Sequence, residues 1–215
     1  MRHTFAILQG VRGPPLLLAL VGLACLSASA ASLSVTVKDD KGNPLPDAAV
    51  YAMPKVKLAP TPPRGAAIEQ KDKTFIPLVT VVQVGTPVSF PNHDIVRHHV
   101  YSFSPPKPFE IKLYVGTPVA PIVFDKPGEV VLGCNIHDHM LAYVYVVDTP
   151  FFAKTDASGT GTIEDLPAGD YDLQVWHYAI ASPQPAQPLH VTADKATASF
   201  AIALRAMPPR PAPKP

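Results

Sequence analysis

Gly133-Cys134-Asn135-Ile136-His137-Asp138-His139-Met140 lies between two apolar runs, residues 129–132 and 141–147. Both runs are short and rich in Val, Leu and Tyr, so they read as strands and the eight residues between them as the loop of a hairpin. The spacing Cys134-x-x-His137-x-x-Met140 lets a thiolate, an imidazole and a thioether turn onto one point. Soft sulfur beside imidazole suits copper, and a trigonal plane of two His and one Cys with a weak axial Met is a copper geometry. The loop holds one matching His, so the set requires another from elsewhere. Asn92-His93-Asp94-Ile95-Val96-Arg97-His98-His99-Val100 offers it upstream, at the end of another predicted strand. Alternation along a strand sends His98 and His99 to opposite faces, so only one of the two is expected at the metal.

The chain has 215 residues, long enough for one large or two small domains, and 47% hydrophobic residues, enough for a core. Its 27 Pro and 12 Gly favour short strands and turns over long helices, and the expected class is all-β. Residues 33–38 alternate apolar and polar, residues 48–52 form a second run, and similar runs follow at 151–155, 160–163, 171–177, 189–192 and 196–204. Between them, residues 75–84, 87–90, 100–103, 109–115 and 122–124 also read as strands. Residues 53–67, rich in Pro and Ala, read as an exposed connector, and residues 166–170 as a turn.

Residues 1–30 read as a secretory signal. Arg2 and Arg12 supply the positive start, residues 14–26 the apolar centre, and Ala28-Ser29-Ala30 a small-residue cleavage site. The apolar run is short for a membrane span of about 20 residues, so no span is expected after cleavage. The expected location is the periplasm. Eighteen Lys and Arg against 17 Asp and Glu become 16 against 17 once Arg2 and Arg12 leave, a net charge of −1. Nucleic acid, which requires a basic patch, is therefore not an expected partner. Cleavage also removes Cys25, leaving Cys134 as the one Cys in an oxidising compartment. Such a residue is a buried thiol, an intermolecular partner or a ligand, and His137 and Met140 favour the ligand.

A His at one strand end and Cys-x-x-His-x-x-Met before the last strand resemble the cupredoxins, the plastocyanins, pseudoazurins and amicyanins among them. The wider run, from Phe90-Pro91-Asn92-His93-Asp94 through Phe124-Asp125-Lys126-Pro127-Gly128 to Val146-Val147-Asp148-Thr149-Pro150, is similar to periplasmic proteins of the "methylamine utilization" type. The resemblance implies a Greek-key β-sandwich over residues 68–150 holding one type 1 copper. His98-His99-Val100 aligns with the family's His-Asn-Val, which makes His98 the ligand beside Cys134, His137 and Met140. It also puts His99 where an Asn ordinarily ties the two ligand loops together. In this family the electron is expected to leave through the His of the Cys loop, here His137, across an apolar patch. The implied function is a single-electron carrier serving a redox partner such as a dehydrogenase or cytochrome, not an enzyme. The alternative is a copper-binding, copper-delivery or adaptor protein without a carrier role.

The flanking phrases, Val37-x-Asp39-x-x-Gly42-x-Pro44 and Leu166-Pro167-Ala168-Gly169-Asp170-Tyr171, resemble a carboxypeptidase regulatory-like β-sandwich. Residues 31–67 with 151–206 are the expected extent of that sandwich, with the cupredoxin unit inserted in it or packed on it. Chain termini lie close together in most domains, so insertion at a loop tip is tolerated. A rival arrangement makes residues 33–52 the first strand of one enlarged cupredoxin. Residues 207–215 form a Pro-rich tail expected to be disordered.

Other chemistries find less support. A multicopper oxidase places His on both sides of its Cys, whereas Gly133 and Asn135 flank Cys134. Structural zinc prefers four Cys or His ligands and does not select Met. Asp94 and Asp138 read as solvated loop polarity, His93 and His139 as either further ligands or bystanders, Trp176 as core, and His177 is left open.

Overall fold

The computed structural model describes residues 30–118, 120–192 and 195–207. The expected signal and tail lie outside these residues, apart from Ala30 and Met207. In chain order the strands are β1 (Ala30–Asp39), β2 (Ala49–Pro54), β3 (Ala66–Ala67), β4 (Glu69–Lys71), β5 (Thr74–Ile76), β6 (Val79–Gln83), β7 (Thr86–Ser89), β8 (His98–Ser102) and β9 (Phe109–Tyr114). They continue with β10 (Ile122–Phe124), β11 (Gly128–Gly133), β12 (Leu141–Val147), β13 (Phe152–Lys154), β14 (Thr160–Pro167), β15 (Gly169–Trp176), β16 (Gln187–Val191) and β17 (Ala196–Ile202). The fold is all-β, and among the described residues no helix is long and apolar enough to cross a membrane.

Two pairs of sheets account for most of the strands. In the first pair, β14-β1-β17 faces β13-β2-β15-β16. Leu33, Val35 and Val37 of β1 are buried while Ser34, Thr36 and Lys38 are not, the period of two that the sequence shows. They pack with Val50, Ile163, Leu173, Phe200 and their neighbours into one core. In the second pair, β10-β7-β3 faces β6-β12-β11-β8-β9, and the hairpin β4-β5 lies beside them. Val88, Phe90, Val100, Phe124, Leu132 and Val144 belong to its core, together with Cys134 and Met140. Burying a side chain such as Val or Leu contributes about 1.5–3 kcal/mol, so each core is a substantial source of stability.

The two cores meet along β12. Ala142, Val144 and Val146 enter the second core, while Tyr143 faces the other way and packs with Val79, Ala49 and Trp176. A strand covered on both faces reads as a continuous apolar run, which is why Leu141-Ala-Tyr-Val-Tyr-Val-Val147 does not alternate. Tyr145 stacks on Trp176 at 4.3 Å between centroids and Tyr143 on Tyr178 at 4.8 Å. Two hydrogen bonds fasten this seam: the hydroxyls of Tyr51 and Tyr145 lie 3.1 Å apart, and Trp176 Nε1 donates to Glu129 Oε2 at 3.2 Å. Trp176 is thus buried, as expected, but between the cores and not inside one.

Several expected elements differ in extent. Residues 75–84 form two strands because Pro77, with no N–H to donate, interrupts the ladder. The connector runs only from residue 55 to 65, since β2 reaches Pro54 and Ala66–Ala67 pairs with β7. The expected turn at 166–170 shrinks to Ala168: Ala30 and Ala31 pair with Pro167 and Leu166, extending β14 to its end. Residues 33–52 pair only within the first pair of sheets, so they are not the first strand of the sheet that carries His98. His177 is buried, its Nδ1 accepts the Ala179 N–H at 3.1 Å, and burial lowers its pKa.

Candidate metal centre

His98 opens β8 and Cys134 follows the last residue of β11, two strands that pair at Gly133 and Tyr101. The loop from Cys134 to Met140 is closed by a turn in which the Met140 N–H donates to His137 O at 2.9 Å. These constraints bring three donor atoms together. His98 Nδ1 and His137 Nδ1 are 3.2 Å apart, and each lies 3.9 Å from Cys134 Sγ. Among the described residues this is the one group of three His, Cys, Asp or Glu side chains with metal-holding spacing. A first-row ion with bonds of about 2.0 Å to nitrogen and about 2.3 Å to sulfur would make a planar triangle with edges of about 3.5 and 3.7 Å. The observed triangle is close to that size.

Met140 is buried in the same core cluster as Cys134, directly after the turn. His98 is fully buried and Cys134 nearly so, while His137 is half-buried and Ile136 beside it is exposed. Burial, helped by the nearby His98, His139 and Lys73 side chains and opposed by Asp94, holds the His137 imidazole below its ordinary pKa. The neutral, ligand-competent form is therefore favoured at neutral pH.

His99 points away from the triangle. Its Nε2 lies 2.8 Å from Glu110 Oε1 on β9, its ring packs against Tyr101, and its Nδ1 has no hydrogen-bond partner. Glu110 pairs with Tyr101 across the ladder, so it lies on the same face of the sheet as His99, one diagonal step away. The expected tie between the ligand loops is not made by this side chain.

Asp94 is not solvated loop polarity; its side chain is only 13% exposed. Its Oδ2 accepts from His98 Nε2 at 2.7 Å and from the Lys73 N–H at 2.9 Å, and its Oδ1 from the Asp72 N–H at 2.7 Å. Burial raises the Asp94 carboxyl, but these hydrogen bonds outweigh it and hold the group below its ordinary pKa. Sequence carries a signal for this role. A ligating His almost always gives its other N–H to a carboxylate, carbonyl or water, and Asp94 stands four residues before His98. Asp138 is exposed, as expected.

His139 and His93 stay outside the triangle. His139 is buried and its Nε2 donates to Lys73 O at 2.9 Å, whereas exposed His93 lies 3.5 Å from Glu69. Beneath the site, Asn92 Nδ2 donates to Val96 O and Tyr114 O, both at 2.9 Å, fixing the loop that leads to His98. Tyr114 donates to Phe90 O at 2.6 Å and contacts Gln70. Burial, opposed by that Gln70 contact and reinforced by nearby Cys134, pushes the Tyr114 phenol up to about 12, so it remains a donor.

No family profile matches this chain, and no curated protein does. Among solved structures it is similar to a copper-containing nitrite reductase from Thermus scotoductus SA-01, at 29% identity and a TM-score of 0.37, over 43% of this chain and 24% of that one. A purple cupredoxin from Nitrosopumilus maritimus matches at 23% identity and a TM-score of 0.34, over 38% of this chain and 99% of that one. Amicyanin from Paracoccus versutus matches at 13% identity and a TM-score of 0.33, over 45% of this chain and 91% of that one.

Proposed function

We propose that this protein is a periplasmic type 1 copper protein that carries single electrons between redox partners. The observation that carries the reading is the buried triangle of His98 Nδ1, His137 Nδ1 and Cys134 Sγ, with edges of 3.2, 3.9 and 3.9 Å. Two imidazoles and a thiolate match copper, and Met140 is the weak axial ligand that completes the set. Zinc would call for a fourth strong ligand, and His93 and His139 are both engaged elsewhere. Copper held there supplies a one-electron couple.

The surrounding residues suit a carrier. His98 and Cys134 are held by strand ends inside a packed core, so the donor triangle changes little in shape when the charge on the metal changes. Their burial also favours retention over delivery, because a partner's ligands cannot reach the donor atoms without opening the core. His137 is the outermost of the three ligands. Exposed Ile136 and the exposed Ile95 and Val96 belong to the two ligand loops and offer an apolar contact face for a dehydrogenase or cytochrome.

The chain divides, in this reading, into a cupredoxin unit over residues 68–150 and a carboxypeptidase regulatory-like sandwich over 31–67 and 151–206. Separate cores in the two pairs of sheets support the division. Limited proteolysis is expected to cut first within the exposed connector, residues 55–65, and to leave a copper-binding fragment near residues 68–150. Loss of both parts at the same rate would count against two units.

Loading the mature protein with Cu(II) is expected to give one tightly bound equivalent, an intense visible thiolate-to-copper band and narrow copper hyperfine splitting, cycling reversibly with one electron. Cys134→Ser abolishes the band. Copper or zinc bound without that band in the parent protein would overturn the reading.

A further inference from the structure

The Asp72-Lys73 turn and Asp94 make the tie between the two ligand loops that His99 does not make. Both turn residues adopt positive φ, 53° and 54°, a conformation that two-residue hairpin loops favour and that non-glycine residues seldom adopt. Here it aims two consecutive backbone N–H groups at one carboxylate: Asp72 N at Asp94 Oδ1 and Lys73 N at Asp94 Oδ2. On the other side, Lys73 O accepts from His139 Nε2, and His139 belongs to the loop carrying Cys134 and His137. Asp94 is fixed from its own side as well, because its N–H donates to Asn92 Oδ1 at 2.9 Å. The β4-β5 hairpin thus bridges one ligand loop through Asp94 and the other through His139.

We propose that Asp94 is the positioning residue of this centre: clamped by the Asp72-Lys73 turn, it holds His98 as the Nε2–H tautomer with the Nδ1 lone pair facing Cys134 and His137. The geometry leaves His98 little alternative. Its Nε2 is 2.7 Å from a carboxylate oxygen that already accepts a backbone N–H, and its side chain is fully buried. A carboxylate at that distance also makes the imidazole a stronger donor, which favours the more highly charged metal. The proposal rests on the copper reading only where its test uses copper.

Two variants separate orientation from charge. Asp94→Asn can still accept from His98 Nε2 through its carbonyl but lacks the charge, whereas Asp94→Ala offers His98 nothing. In the copper-free protein, nitrogen-detected NMR of the imidazoles is expected to show His98 as the Nε2–H tautomer in the parent and in Asp94→Asn, and a tautomer mixture in Asp94→Ala. With copper, Asp94→Ala lowers Cu(II) affinity 10- to 100-fold. Asp94→Asn lowers the preference for Cu(II) over Cu(I) about tenfold, which is a rise in potential of about 59 mV for one electron. A parent His98 in the Nδ1–H tautomer would overturn the proposal. So would an Asp94→Ala protein, or an Asp94→Asn protein if the Ala variant does not fold, whose tautomer, copper affinity and potential all equal the parent's. If the parent shows the expected tautomer yet gives no blue band, the copper reading fails and the positioning of His98 stands.

Discussion

His98→Ala is expected to lower Cu(II) affinity by at least about a hundredfold and to eliminate the intense visible band, whereas His99→Ala retains the band with a small shift. The ligand loss exceeds the 10- to 100-fold cost typical of removing a residue that only supports a ligand. His98 Nδ1 forms two edges of the donor triangle, and its ring has no exposed surface. Its removal leaves one imidazole and one thiolate, a pair that cannot define a trigonal plane. His99 lies on the other face of β8, between Glu110 and Tyr101. Losing its ring costs about 1 kcal/mol of fold stability, the centre of the range for single substitutions. Copper titration followed by absorption, with denaturation of both copper-free variants, measures the two effects separately. A blue His98→Ala protein beside a colourless His99→Ala protein would overturn the assignment of both residues.

The contrast between these neighbours shows what a sequence of this kind makes legible. Period-two alternation in β1 and the apolar run of β12 are local patterns, and both became strands, β12 with the expected bounds and β1 extended at both ends. Cys134-x-x-His137-x-x-Met140 is local too, so its place between β11 and β12 could be read directly. The loss of alternation in β12 marks a strand buried on both faces, yet nothing local says that Tyr143 and Tyr145 meet Tyr178 and Trp176 there. That pairing joins residues more than thirty positions apart through tertiary packing. Asp94 was misread for the same reason. An aspartate in a polar loop is usually solvated, and the two N–H groups that desolvate it come from a turn about twenty residues upstream, at Asp72 and Lys73. His99 differs again: its partner Glu110 faces Tyr101 across the ladder from β9, a pairing between strands that no local pattern announces.

Gly159→Ala is expected to destabilise the protein by about 2 kcal/mol or more while leaving the Cu(II) spectrum unchanged. The residue sits at φ +73°, where a Cβ is strained, and that term alone costs about 1 kcal/mol. A Cβ there would come within 2.5 Å of Val37 O and 2.8 Å of Leu45 N, backbone atoms that form a hydrogen bond to each other. Neither belongs to a flexible side chain, so β1 or the turn that follows it must shift, weakening that bond at a further cost of about 1 kcal/mol and straining the Val37 N–H that donates to Gly159 O. None of these atoms supports the metal centre, whose donors and braces come from β8, the loops at residues 92–97 and 134–140, and the β4-β5 hairpin. The single Trp in the chain, Trp176, lies at the seam and reports loss of either core by fluorescence, while the copper band reports the second alone. In denaturant the fluorescence transition is expected to move to lower concentration in Gly159→Ala and the copper band to persist beyond it. If the band instead vanishes with the fluorescence in both proteins, the Tyr143, Tyr145 and Trp176 contacts make the two cores one cooperative unit, and the division into separately folding parts is wrong.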